Sequence, residues 1–186
     1  MGIVMKVLNR QYHRDQYREQ GFTLIELVIT IAIIAIIAAM AAPNIQKQIR
    51  QARIKDGANI IEAALKDAKS QALVTQKNIK VVLTNTSTNK NLKLFYVGDD
   101  TTRTIPLATY TLDKNISIIT NASNLTAVSF TPYKNAYPGD TGTRPDDTDT
   151  DSTTNFSVCY GAGSDKYTIT VDASSNIVTS KNGTCS

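Results

Sequence analysis

The sequence predicts an α+β protein, with one long N-terminal α-helix packed on an antiparallel β-sheet head. Three observations carry that prediction. Residues 22–42, FTLIELVITIAIIAIIAAMAA, form an apolar run with a single charge, Glu26. Apolar residues then recur at spacings of three and four as far as Ala72, the period of an amphipathic helix. Beyond Lys77 and Asn78 the period falls to two, the period of strands.

Residues 1–21 are polar and charged and end in Gly21. At the rise of an α-helix, the apolar run that follows is about 31 Å long, enough to cross the hydrocarbon core of a bilayer. An ordinary secretory signal would be shorter and would be cut after small residues, which Ala39, Ala41 and Ala42 could imitate. Pro43 comes next, where a proline removes one helical hydrogen bond and favours a kink. Past it, Ile45, Ile49, Ala52, Ile60, Ile61, Ala64, Leu65, Ala68 and Ala72 continue the helical stripe. Gly57 reads as a soft position, costing about 1 kcal/mol relative to alanine. The expected helix runs from 22 to about 76.

Eight short strands are expected after it, at 79–84, 91–97, 104–112, 116–120, 125–130, 156–160, 166–171 and 176–180. Clusters of Asn, Asp, Gly and Ser separate them. Pro106 demotes the third to an edge strand or a bulge. Residues 138–154 have almost no apolar side chains and read as a loop. The chain thus divides into a leader (1–21), an apolar helix half (22–43), an amphipathic helix half (44–78) and a β-rich head (79–186).

With 186 residues, the chain has room for one globular domain and one membrane segment. Its net charge of +4 invites a nucleic-acid reading. The charge is not in the head, however, where nine Lys/Arg meet ten Asp/Glu between 79 and 186. Seven Lys/Arg against three Asp/Glu sit in 44–78, and four Lys/Arg sit in the leader. The only histidine, His13, is also in the leader. There is no GxSxG, HExxH or phosphate loop, so no enzymatic activity and no cofactor are expected. Asp147, Asp149 and Asp151 alternate as at the start of a calcium loop, but Ser152 and Val158 stand where the loop needs Gly and Glu, so no metal is expected. If the head is exported, Cys159 and Cys185 are expected to pair, closing a loop worth roughly 3–4 kcal/mol; the alternative is two unrelated buried thiols.

Gly21-Phe22-Thr23-Leu24-Ile25-Glu26, followed by the long aliphatic run, resembles the class III signal of type IV pilins and type II secretion pseudopilins. Pro43 falls where these families place a helix-kinking proline. The passage 58–83 is similar to the helix-to-first-strand segment of minor pilins of the FimU, FimT and GspH type. The resemblance implies that a prepilin peptidase cuts after Gly21 and that Phe22 becomes a methylated N-terminus. It implies that Glu26 guides docking into a filament by pairing with the amine of a neighbouring Phe22. A carboxylate in a hydrocarbon span is costly and functional by default, which agrees with that role. Basic residues flank both ends of the apolar run almost evenly, so orientation rests on the resemblance: leader in the cytoplasm, head in the periplasm.

The implied partners are other major and minor pilins, the prepilin peptidase, the inner-membrane assembly platform and the membrane before assembly. The implied function is that of a minor pilin initiating or capping a type IV pilus that serves adhesion, twitching motility and, as the lesser expectation, DNA uptake, with the protein ending at the filament tip. A type II pseudopilin, a major pilin and a DNA-binding FimT-like pilin are the alternatives. DNA is the weakest partner, since the tail SKNGTCS offers only Lys181 and the head is near neutral.

Overall fold

The computed structural model describes residues 21–102, 104–121, 125–142 and 153–185, apart from the side chains of 41–43. Two compact units divide between Ala42 and Pro43. Helix α1, Leu24–Thr75, contributes to both.

In the first unit the helix begins at Leu24, two residues later than the apolar run suggests, because Thr23 caps it. The Glu26 amide donates to Thr23 Oγ1 at 3.3 Å and the Leu27 amide to the Thr23 carbonyl at 3.2 Å. Thr-x-x-Glu is the sequence signature of a capping box, and it was there to be read at Thr23 and Glu26. Every side chain from Phe22 to Met40 is exposed. Among the described residues no single helix is long and apolar enough to cross a membrane. Leu24–Met40 and Asn44–Thr75 reach that threshold only when taken together, by length and composition.

The second unit is built on the rest of α1. The buried stripe starts at Ile54 and continues through Ala58, Ile61, Leu65, Ala68 and Ala72. Ile45, Ile49 and Ala52, expected to belong to it, are exposed. They lie on a neighbouring face, because stepping back from Ile54 by threes and fours leads to Arg50, Gln51 and Lys47 instead. At Gly57 an added Cβ would lie 2.8 Å from Ile116 Cδ1 and 3.4 Å from Val158 Cγ1. This glycine is a point of close approach between helix and head rather than a soft joint, a role local sequence could not show. The helix ends where Gln76 adopts φ 55°, the left-handed conformation of a C-terminal cap.

Among the described residues nine strands follow, all paired antiparallel. β1 (Ile79–Asn85), β2 (Lys90–Tyr96), β3 (Ala108–Thr111), β5 (Ala127–Phe130) and β6 (Ala136–Pro138) form a five-stranded sheet in the order β3-β2-β1-β5-β6. β4 (Ser117–Thr120), β7 (Thr154–Cys159), β8 (Asp165–Val171) and β9 (Ile177–Thr184) form a second sheet in the order β4-β7-β8-β9. β3 begins only after Pro106 and lies at a sheet edge, in keeping with the missing proline donor. β6 was not anticipated: it is three residues long, ends in Pro138 and lies at the other edge. Ile79, Val81, Leu92, Leu94, Val128 and Phe130 of the first sheet join Phe156, Val158, Ile169 and Val171 of the second in one core with the helix stripe.

Polar ties hold the helix to both sheets. Tyr110 of β3 donates its hydroxyl to Asp67 Oδ2 at 2.9 Å. Thr179 of β9 donates to Glu62 Oε2 at 2.6 Å, and the Lys69 ammonium donates to the Ser175 carbonyl at 2.8 Å.

Candidate functional site: the N-terminal junction and the stapled head

Among the described residues no heavy atom lies within 4 Å of where a Gly21 side chain would start, and Gly21 is exposed. Phe22 is 82% exposed. A protease needs an extended, reachable chain, and Gly21 and Phe22 precede the first helical residue, Leu24. One turn further, Glu26 sits at the third helical position. Its amide is satisfied by Thr23, whereas its carboxylate meets no partner among the described residues. A negative charge in the first turn suits the helix dipole, but that needs no apolar surroundings. Glu26 is instead ringed by exposed Leu24, Ile25, Leu27, Val28 and Ile29. Such a row gains nothing by facing water, and burying it against another apolar surface would contribute about 25 cal/mol per Å². The arrangement can therefore supply an apolar docking surface carrying one unpaired anion. The side chain of Pro43 lies outside the described residues, and with it the kink expected there.

In the head the structure brings together the other two expected residues. Cys159, at the end of β7, and Cys185, just past β9, form a disulfide with Cα atoms 5.9 Å apart. The segment between them, 26 positions in sequence, contains β8 and β9, so the bridge closes the second sheet at its free end. Glu62 was not anticipated. Its carboxyl is held below its ordinary value by the Lys66 ammonium that donates to it and, next, by the Thr179 hydroxyl; burial opposes them. The four-residue spacing of Glu62 and Lys66 is a signal that could have shown a helical pair, but Thr179 lies 117 positions away and gives no local signal. The Lys181 ammonium is raised by its hydrogen bond to Asp165, 2.9 Å away. Asp147, Asp149 and Asp151 lie outside the described residues. Among the described residues no group of three or more His, Cys, Asp or Glu is placed to hold a metal ion.

These two features, an open N-terminal junction and a helix-backed head of antiparallel sheets, meet their counterparts among known proteins. The prokaryotic N-terminal methylation motif matches residues 17–42. A type IV major alpha-pilin of Moraxella bovis is 35% identical over 88 residues, 41% of this chain and 55% of that protein. The fimbrial protein EcpB of Eikenella corrodens is 55% identical over 38 residues, 20% of this chain and 24% of that protein. The chain thus spans 55% of the length of one of these relatives and 24% of the other. The chain is thus similar to type IV pilins at its N-terminal motif, which leads into a pilin-like fold. More particularly, the fold is like that of the type IV minor pilin FimU of Pseudomonas aeruginosa, with a TM-score of 0.54 at 15% identity over 71% of this chain and 99% of that one.

Proposed function

We propose that the chain is a minor pilin that initiates or caps a type IV pilus. It is made as a precursor, cut after Gly21, methylated on the new amine of Phe22, held in the inner membrane by its apolar helix half, and drawn helix-first into the filament. The observation that carries this reading is the Glu26 carboxylate, unpaired among the described residues, at the head of an exposed apolar row. A methylated ammonium on a neighbouring subunit would neutralise that charge, and the apolar rows of packed helices would cover each other. One axial register is then favoured over the rest, because any other leaves a carboxylate unpaired in an apolar setting.

The FimU-like head favours the minor-pilin version. The likeness to a major alpha-pilin favours a second version, in which this chain is the bulk subunit. Subunit abundance in sheared filaments separates the two. Intact mass of the protein from envelope fractions tests both: a chain beginning at methylated Phe22 is expected. A chain beginning near Ala42 would mean ordinary secretion and end the filament reading.

A further inference from the structure

The face of α1 that packs on the head turns from apolar to cationic below Ile54. Stepping down by threes and fours from buried Ile54, the same face carries Arg50 and Gln51, then Lys47 and Gln46. There the head stands off and leaves an open cleft of about 480 Å³, walled on one side by Lys47, Arg50 and Gln51 and on the other by Gly163, Ser164 and Thr184. Arg53, one turn higher, is engaged by Asp113 at 3.2 Å. Lys47 and Arg50 have no ion pair or hydrogen bond among the described residues. The one carboxylate in the lining, Asp165, is already paired with Lys181 at 2.9 Å. The cleft therefore holds two uncompensated cations.

Its far wall is stiff. The Gly163 amide donates to the Cys185 carbonyl at 2.9 Å and the Cys185 amide to the Ser164 carbonyl at 2.8 Å. Ser164 Oγ accepts from the Tyr160 amide at 3.1 Å and donates to the Gly161 carbonyl at 2.8 Å. The Cys159–Cys185 bridge closes the same loop. A concave surface with a fixed polar wall and two cations opposite suits a phosphate group, which takes charge-assisted hydrogen bonds from a guanidinium and an ammonium together.

The geometry points to a phosphate-binding cleft at the base of the head, filled by the headgroup of an anionic phospholipid while the subunit waits in the membrane. This rests on the proposed membrane storage. Lys47 and Arg50 follow the end of the apolar run, Ala42, by five and eight residues, which is about 8–12 Å of helix, within reach of a headgroup layer. Basic residues just outside an apolar span bind anionic lipid surfaces. The cleft adds to that general attraction a shaped site.

The test uses the full chain in zwitterionic detergent micelles, with dioleoylphosphatidylglycerol or dioleoylphosphatidylcholine added and bound lipid counted by native mass spectrometry. Wild-type protein is expected to retain phosphatidylglycerol over phosphatidylcholine. Lys47→Gln with Arg50→Gln should weaken that retention roughly 10–30-fold, while Lys55→Gln with Lys114→Gln, which removes as much charge from exposed positions outside the cleft, should leave it. Reduction of the disulfide should weaken it too, by loosening the far wall. Competition by millimolar inorganic phosphate, with the same dependence on Lys47 and Arg50, would assign the cleft to a free anion instead of a lipid. Equal loss in both double variants, or no preference for phosphatidylglycerol in the wild type, overturns the site. Protein that does not enter micelles or membranes at all would sink the membrane reading itself, whereas protein that embeds without lipid preference sinks this inference alone.

Discussion

Ile34 and Ile61 lie on the same helix, yet the first is 63% exposed and the second fully buried. The contrast holds for their whole neighbourhoods. Leu24–Met40 has apolar residues on every side and nothing among the described residues of its own unit to cover them. The stretch from Ile54 to Ala72 confines them to one stripe, which two sheets cover. A stripe says that the chain supplies its own partner; an apolar surface all round says that the partner is another molecule, lipid or subunit. The small residues differ in use as well. Gly57 and the alanines of the lower stripe let the sheets approach, while in the apolar run alanines alternate with isoleucines on all faces.

The sharpest way to break the comparison is at Glu26. If the upper helix were an anchor only, Glu26→Leu would improve it, lowering insertion cost by about 2–3 kcal/mol. As a docking element it should fail. The expected outcome is a processed, membrane-held subunit with little recovered in sheared filaments, read by immunoblot of filament and membrane fractions. Recovery at the wild-type ratio would show that the carboxylate is not used for docking.

Truncating the two isoleucines separates internal from external cover. Ile61→Ala should destabilise the head by about 2–5 kcal/mol, since it opens a cavity in the core. Ile34→Ala should leave the unfolding midpoint of the head within about 0.5 kcal/mol of wild type. Chemical denaturation of both, followed by a probe in the sheets, measures the difference. Equal losses would mean that the upper helix is part of the core after all.

Reducing Cys159–Cys185 acts on the second sheet alone. Loop closure over 26 positions is worth roughly 3–4 kcal/mol, so Tm should fall clearly in reductant, and a Cys159→Ser, Cys185→Ser protein should match the reduced form. A Tm insensitive to reductant would show that the bridge adds nothing to a sheet already held by the helix.

The smallest effect concerns the tie between helix and β9. The Glu62 carboxyl titrates below its ordinary 4.5 in the folded protein. Folding therefore favours the unprotonated form, and the tie stabilises the head above that value. It weakens as pH falls through the lower folded value, because the unfolded chain then takes up a proton more readily. Asp172 shifts the same way from 3.8; burial opposes the shift, and hydrogen bonds from Asn176 outweigh it. Tm should be flat from neutrality to about pH 5 and decline below about pH 4.5, and Glu62→Gln should flatten part of that decline. An unchanged acid limb in the variant would remove Glu62 from the account.

Much of this was legible before any coordinates. The polar-to-apolar step at Gly21 and Phe22, the lone Glu26 and the change of period after Asn78 are local patterns, and local patterns report local structure. Six of the nine described strands fall within about two residues of where alternation places them, and β9 runs four residues past its expected end. β3 is shortened by Pro106, and β6 is too short to alternate. Sequence also located the helical stripe but set its lower end on the wrong face, because Ile45, Ile49 and Ala52 keep the same spacing as the true stripe one face away.

By itself, then, the sequence determined that a long helix precedes a β-rich head, and it marked the polar-to-apolar step at Gly21 and Phe22, since each depends on neighbours within a few positions. Only the tertiary structure decided that the strands divide into two sheets, that Gly57 is a packing contact, that Glu62 reaches Thr179, and that Lys47 and Arg50 line an open cleft. Each of these is a meeting of residues dozens to more than a hundred positions apart, and chain periodicity carries no record of which distant face comes to lie against which.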